Sequence, residues 1–164
     1  MTTTPVVIVV YGDAQPAGSK RAAVAKNGRP FVRDANPKSR EWKDRVALAA
    51  GAVMDGCGLL EGPLSLDVVF YRPRPAGHFG KRGLLPSARP YPTVAPDVTK
   101  LVRAIEDALT GIVWRDDAQV VVQWASKFYG EPARVEIHVD VLRQQEVRDG
   151  GHGGREAALA RGGR

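Results

Sequence analysis

Cysteine is nearly absent from this sequence of 164 residues, in which Cys57 stands alone. A single cysteine can form neither an internal disulfide framework nor a multi-cysteine zinc site. Apolar runs are also short: none approaches the ~20 residues that span a bilayer, and no signal peptide is evident at the start. The sequence therefore argues against membrane proteins, secreted disulfide scaffolds and zinc fingers, and a reducing cytoplasm is the expected compartment.

Histidine is scarce, and the common nucleophile and phosphate-binding motifs are missing. The three histidines fall in a predicted loop, a predicted strand and the predicted tail. Cys57 has no histidine near it in the sequence, and no glycine-rich loop of the Walker type occurs. The sequence therefore gives no support for a serine or cysteine hydrolase.

Positive charge is in excess: 24 lysines and arginines stand against 18 aspartates and glutamates, for a net charge of +6. A basic domain favours an anionic partner, and nucleic acid is the commonest one, although many basic proteins bind no nucleic acid. Hydrophobic residues make up 43% and charged residues 26% of the chain. That is the composition of one ordinary globular domain.

The apolar pattern predicts one α+β domain over residues 1–143, with a mixed sheet of about four strands and two main helices packed on it. The predicted elements are a buried strand at Pro5–Tyr11, a basic hairpin turning at Asn27-Gly28, a helix from Asn36 to Met54, a strand at Pro63–Tyr71, a long irregular loop at Arg72–Pro96, a helix at Pro96–Thr110, and strands at Gln119–Tyr129 and Ala133–Leu142. The last two strands should form an antiparallel hairpin because their link is short. Residues 144–164, rich in glycine and arginine, are predicted to be a disordered tail.

Three aspartates form the first candidate site. Asp97 stands at the start of the second predicted helix, and Asp116 and Asp117 precede the next strand. Clustered carboxylates at the ends of elements suit a hard cation such as Mg²⁺, which can orient water for phosphodiester cleavage. From these residues alone, the commoner interpretations are a helix cap at Asp97 and a turn at Asp116-Asp117.

Basic residues form the second candidate set. Lys100 and Arg103 on the second helix could stabilise charge on a phosphate beside that metal, or could simply form charge pairs on a solvated helix face. Two proline-broken loops hold further cations that could contact the DNA backbone. The candidate DNA-binding residues in these loops are Lys20, Arg21, Lys26 and Arg29 in the first and Arg72, Arg74, Lys81 and Arg82 in the second.

One stretch is recognisable as a family signature. The segment PDVTKLVRAIEDALTG, from Pro96 to Gly111, is followed by WRDDAQV, from Trp114 to Val120. Together they resemble the central signature of the RusA family of Holliday junction resolvases, roughly P-D-x-D-[NK]-L-x-[KR]-x-x-x-D-A-L-[NT]-G and then D-D-x-Q-V. The basic residues 18–21 and 27–29 also look like the family's N-terminal segment, and the resemblance covers about residues 6–142.

The resemblance implies a small homodimeric endonuclease that uses Mg²⁺, with Mn²⁺ as the alternative ion, to cut four-way DNA junctions symmetrically in recombination and repair, typically in a phage or prophage setting. By motif position, Asp97 and Asp117 match the family's metal-binding aspartates, and Asp116 stands beside the second of them. Arg103 falls where the family has an essential lysine or equivalent base. Lys100 takes a position often held by asparagine or lysine.

The sequence departs from the signature at Thr99, where the family has the second aspartate of P-D-x-D. Threonine offers a neutral oxygen and no negative charge, so the metal site loses one carboxylate. Asp116 could compensate, as could Asp67 if its strand approaches. Two further hypotheses stay open at this point: a non-catalytic protein that binds branched DNA on the same scaffold, and an RNA-binding accessory protein that only the charge supports.

Overall fold

The computed structural model describes residues 5–18, 20–34 and 37–142, so the predicted tail at 144–164 lies outside the described residues. The elements are β1 (Val6–Tyr11), β2 (Lys20–Val24), β3 (Pro30–Asp34), α1 (Pro37–Val53), β4 (Leu64–Arg72), β5 (Phe79–Gly80), β6 (Gly83–Leu84), α2 (Val98–Leu109), β7 (Val120–Tyr129) and β8 (Arg134–Val141). The predicted basic hairpin is confirmed as β2 paired with β3. None of the helices described is long and apolar enough to cross a membrane.

The main sheet has four strands in the order β1-β8-β4-β7. Strand β8 is antiparallel to both of its neighbours, whereas β4 and β7 run parallel. With two helices packed on one face of this mixed sheet, the predicted α+β architecture is confirmed.

The predicted hairpin of β7 and β8 is wrong, because β4 lies between these two strands. Two strand spacings amount to about 10 Å, and the few residues between Tyr129 and Arg134 can cover that distance. A short link therefore does not force the two strands to pair. The central position suits β4 because Val69, Phe70 and Tyr71 are all buried, so neither of its faces meets solvent at that end.

β1 was predicted to be a buried strand, and this prediction is wrong for half of its side chains, which are exposed to solvent. Ile8 and Val10 are buried beneath the helices, whereas Val7, Val9 and Tyr11 are exposed on the other face. The reason is that β1 is an edge strand of a sheet whose helices cover one side only. A run of β-branched residues indicates a strand without indicating how many of its faces are covered.

Helices α1 and α2 pack against each other and against the sheet. The core between them includes Trp42 and Val46 of α1 and Leu101, Ile105 and Leu109 of α2, all with at most 3% of their surface exposed. Burial of such side chains contributes about 1.5–3 kcal/mol each. The polar face of α2 is thereby fixed outwards, along the surface that includes the candidate site.

Candidate active site

The polar face of α2 forms one wall of an open cleft of about 880 Å³. The residues that line the cleft are Ala17, Gly18, Lys43, Lys100, Arg103, Asp107, Thr110, Arg115, Asp116 and Asp117. The chain that follows α2 forms the facing wall. It turns back at Gly111, whose φ of +82° favours glycine, and the fully buried Trp114 anchors it. The structure thus brings Lys100, Arg103, Asp116 and Asp117 to one cleft.

Asp97 lies one turn before this cleft and does not line it. It occupies the N-cap position of α2, yet its side chain makes no capping hydrogen bond. One carboxylate oxygen instead lies 3.4 Å from Lys100 Nζ, in a pair whose side chains are 67% and 58% exposed. An exposed ion pair of this kind contributes little to stability. The helix-cap interpretation of Asp97 therefore fails, and its carboxylate is open to another partner.

Asp116 and Asp117 have different surroundings although they are neighbours in sequence. Asp116 caps a short 3₁₀ turn at Asp117–Gln119, and its Oδ1 accepts a hydrogen bond from Ala118 N at 2.9 Å. The Asp117 carboxylate has no hydrogen bond or ion pair with the part of the chain that the structure describes. The turn interpretation thus holds for Asp116, while Asp117 lines the cleft.

Gln119 fixes the position of this aspartate pair. Its Oε1 accepts hydrogen bonds from the backbone N–H groups of Arg115 and Asp116, at 2.9 and 3.2 Å. Its Nε2 donates to the carbonyls of Leu60 and Gly62, at 3.0 and 3.2 Å. Sequence reasoning assigned Gln119 no role. The available signal was its place three residues after Asp116, which is the spacing of a capping box.

Replacing Gln119 by leucine is expected to lower the free energy of unfolding by about 1–3 kcal/mol, because four backbone groups lose their partner. Chemical denaturation would measure this loss. Cleavage should fall further than stability alone explains, since Asp117 would no longer be held. A Gln119→Leu protein with unchanged stability and activity would remove this role for the side chain.

The two aspartates that match the family motif border α2 at different heights. Asp97 begins the helix, whereas Asp117 lies close enough to Glu106 to act on its carboxyl electrostatically. Nine residues of helix correspond to about 13 Å of axial rise. Within the described ranges, no three Asp, Glu, His or Cys side chains are grouped so that they could hold a metal ion. Asp67 does not fill the gap left by Thr99, because it pairs with Trp124 and His138 in the middle of the sheet.

Comparison with known proteins decides the family. A family model described as endodeoxyribonuclease RusA matches residues 13–140. The chain belongs to the RusA endodeoxyribonuclease family. It is also 36% identical over 138 residues to the uncharacterized protein YqaN of Bacillus subtilis (strain 168), an alignment that covers 79% of this chain and 92% of that protein. As a member of the RusA family, the chain is assigned to the hydrolases that cut within DNA strands.

The D-D-x-Q-V segment of the RusA family now has a physical interpretation in this chain. Asp116 caps the turn, Gln119 ties the turn to the segment before β4, and Asp117 lines the cleft without a partner among the described residues. Asp116 and Gln119, two of the four defined positions of the segment, therefore hold Asp117, a third, in place. Spacing alone did not separate these roles, because both aspartates are equally suited to capping and to binding a cation.

Lys127 holds the chain just before Asp97. Its Nζ donates to the carbonyls of Val94 and Pro96, both at 2.9 Å. Desolvation lowers the pKa of Lys127, and the nearby Arg72 lowers it further, while Asp97 opposes the shift. Sequence reasoning missed this residue, which is the only charged side chain of β7. By holding the Pro96 carbonyl, Lys127 positions the start of α2 and the Asp97 carboxylate beside it.

Glu106 is a carboxylate near the cleft that sequence reasoning also missed. Gln123 Nε2 donates to its Oε1 at 2.6 Å. Burial raises the pKa of Glu106 above its ordinary value of 4.5, and Asp117 and Asp107 raise it further, against the opposing effects of Gln123 and Arg103. The folded state therefore holds the proton of Glu106 more tightly than the unfolded chain does.

This shift predicts a pH effect on stability. Because the folded pKa is raised, the unfolded chain releases this proton first, and stability should fall as the pH rises from 4.5 through the folded pKa. Replacing Glu106 by glutamine keeps an acceptor for Gln123 and removes the titration. The melting temperature of Glu106→Gln should thus decline less over this range than that of the original protein. Parallel melting profiles from pH 4 to 7 would contradict this assignment.

The predicted DNA contacts divide into two groups. Lys26, Arg29, Lys81 and Arg82 are exposed at the turns of the β2–β3 and β5–β6 hairpins. Lys20 and Arg21 lie in β2.

Arg72 and Arg74 instead bind within the protein. Arg72 Nε and Nη2 lie 3.0 Å from the two carboxylate oxygens of Asp13. Arg74 donates to the carbonyl of Arg89 at 2.9 Å and lies over the ring of Tyr129. The loop containing Arg74 also has more structure than predicted, with a 3₁₀ turn at Ala76–His78 and the short β5–β6 hairpin.

Proposed function

We propose that this protein is a metal-dependent endonuclease that cuts four-way DNA junctions in recombination and repair. One observation is central to the proposal: Asp117, whose carboxylate has no partner among the described residues, lines the same cleft as Lys100 and Arg103 of α2. A carboxylate beside cations is the arrangement that phosphodiester cleavage needs, since the carboxylate can hold a metal and the cations can hold the phosphate. Membership of the RusA family supports the branched substrate.

The residues present fit Mg²⁺ by their chemistry. Asp117 offers an exposed carboxylate in the cleft and Asp116 retains one oxygen that caps nothing, whereas Asp97 and the Thr99 hydroxyl are exposed at the start of α2, about 13 Å of helix away. Mg²⁺ commonly binds one or two carboxylates and completes its shell with water and substrate phosphate. Mn²⁺ accepts the same hard oxygen ligands. When bound, the ion would lower the pKa of a water molecule and offset charge on the phosphate.

The cations of the cleft would bind and orient the DNA strand. Arg103 is exposed and has neither a hydrogen bond nor an ion pair with the described part of the chain, so its guanidinium is available to a phosphate. Lys100 lies one turn before it and is only weakly tied to Asp97. Charge that develops on the phosphate oxygens during hydrolysis would be stabilised by these two side chains. Arg115 extends this positive surface, whereas Lys43 is paired with Asp107 at 3.6 Å in the same cleft.

We propose further that the active form is a homodimer. A four-way junction has approximate twofold symmetry, and two copies related by a twofold axis would present one site to each of two strands. Paired cuts would then follow from one binding event. Sedimentation of the protein with and without junction DNA would test this stoichiometry.

Replacing Thr99 by aspartate is expected to lower the Mg²⁺ concentration needed for half-maximal cleavage. Thr99 is exposed in the first turn of α2, where an added carboxylate fits without repacking and is favoured by the helix dipole. A metal titration of both proteins would measure the shift. An unchanged titration curve would indicate that this position does not contribute to metal binding.

The experiment that tests the proposed function compares cleavage of a labelled four-way junction and a linear duplex, with Mg²⁺, Mn²⁺ or EDTA. Metal-dependent cuts near the crossover, with the duplex intact, would support the proposal. Tight binding to the junction without cuts in either metal would identify a DNA-binding protein on a nuclease scaffold. Preference for duplex RNA over branched DNA would overturn the choice of substrate.

A further inference from the structure

The β5–β6 hairpin presents two large apolar side chains to solvent. Phe79 and Leu84 are directly paired across its strands, so both lie on the same face. They are 51% and 53% exposed. Most apolar side chains of this size are buried, and a paired exposed set on a projecting turn is typical of a contact surface.

The hairpin is braced at its base. Leu85 N donates to the carbonyl of His78 at 2.9 Å, and the Leu85 side chain packs under Gly80, so closely that a Cβ there would lie 2.9 Å from it. The His78 ring meets the Tyr129 ring edge-on at 5.3 Å, and the Arg74 guanidinium lies over the same ring. The apolar pair is thus held out from the end of β7 by packed contacts.

Charge indicates what this surface contacts. Lys81 and Arg82 form the turn between β5 and β6 and are both exposed. The segment 72–96 has no acidic residue, and of its five lysines and arginines only Arg72 and Arg74 are engaged as described above. A polyanion is therefore the complementary partner, and the apolar pair adjacent to the cations favours the face of a base over a phosphate alone.

The hairpin also belongs to the segment that leads into the cleft. The same loop continues to Pro96, where Lys127 fixes it, and ends at Asp97. The segment that carries the hairpin therefore ends one helical turn before Lys100, the first cation of the cleft.

We propose that the β5–β6 hairpin recognises the branch point itself. This inference rests on the proposed function. Phe79 and Leu84 would pack against the base pairs exposed at the crossover, and Lys81 and Arg82 would bind the flanking phosphates. Inside a continuous duplex each base pair is already stacked on both faces, so an apolar wedge must first unstack it. At a branch that cost is lower, and the hairpin would select branched over linear DNA.

The test measures binding in EDTA to a four-way junction and to a linear duplex, with 2-aminopurine placed at the crossover. Phe79→Ala with Leu84→Ala should weaken junction binding by about 10- to 100-fold, as expected for lost base stacking. It should also abolish the change in 2-aminopurine fluorescence and leave duplex affinity unchanged. The matched control, Leu48→Ala with Val53→Ala, removes two exposed apolar side chains of α1 and should change none of these values.

A second variant separates the charges from the apolar pair. Lys81→Gln with Arg82→Gln should weaken binding to both DNAs and reduce the salt dependence of log affinity by a slope of about two. Equal losses of affinity for junction and duplex in the apolar variant would make the hairpin a general DNA contact and overturn the inference. The inference would also be overturned if the apolar variant bound the junction and changed the 2-aminopurine fluorescence as the original protein does. Failure of the original protein to bind any branched DNA would instead defeat the proposed function first.

Discussion

Replacing Asp117 by asparagine is expected to lower the rate of junction cleavage at least about 100-fold, the scale of losing one charge-stabilising group at a reacting phosphate or acyl centre. The expected affinity for the junction is unchanged. Because the Asp117 carboxylate has no hydrogen bond or ion pair within the described residues, the substitution should leave the fold intact. Cleavage and binding of the same labelled junction would measure both effects.

Asp116→Asn is the informative comparison for this variant. An asparagine cap accepts the same hydrogen bond from Ala118 N, and asparagine is as good a cap as aspartate. Most of the activity should therefore remain. Equal losses of cutting and binding in Asp117→Asn would contradict its assigned role, and an equally inactive Asp116→Asn would move the metal-binding role to both aspartates.

Arg72→Leu should cost about 1.5–3 kcal/mol of stability, because it removes charge-assisted contacts to Asp13. The Arg72 side chain is 17% exposed, and two of its nitrogens lie 3.0 Å from that carboxylate. The pair ties the end of β4 to the segment that follows β1. Urea denaturation would measure the change.

The control for this variant is the double substitution Arg72→Leu with Asp13→Leu, which leaves no carboxylate stranded. It should recover part of the lost stability, as a double-mutant cycle reports for residues in contact. By contrast, Arg82→Leu should leave stability unchanged and weaken DNA binding. An Arg72→Leu protein with normal stability and reduced DNA affinity would restore Arg72 to the DNA-binding surface.

These two arginines show where sequence reasoning stops. Arg72 and Arg82 belong to the same predicted basic loop, and their neighbours in the sequence do not distinguish them. Their difference comes from Asp13, 59 residues earlier in the chain, and no local pattern indicates that contact. The same holds for Lys127, whose role depends on a loop more than 30 residues away.

Local features of the fold were predictable for a physical reason. The apolar stripe of α2, with Leu101, Ile105 and Leu109 buried, repeats at helical spacing, and the turn at Asn27-Gly28 needs the positive φ that Gly28 adopts. Strand order was not predictable in this way. It depends on which partner buries β4 best, and that choice involves every strand at once.

The candidate site lies between these two cases. The motif residues Lys100, Arg103 and Asp117 were identifiable because their spacing matches the RusA signature, and the structure places all three on one cleft. The division of labour between Asp116 and Asp117 required hydrogen-bond geometry. Hydrogen-bond geometry was also needed to assign Asp97. An aspartate at a helix start is usually a cap, whereas the Asp97 side chain makes no capping hydrogen bond.

Cleavage of a supercoiled plasmid that extrudes a cruciform tests the central claim most directly. The account predicts that, with Mg²⁺, the protein converts this plasmid to linear DNA cut across the cruciform base, and leaves an otherwise identical plasmid without the inverted repeat supercoiled. Linear product requires two cuts at one junction, so it reports nuclease activity, branch selectivity and paired sites together. An intact cruciform plasmid, or equal cutting of both plasmids, would contradict the account.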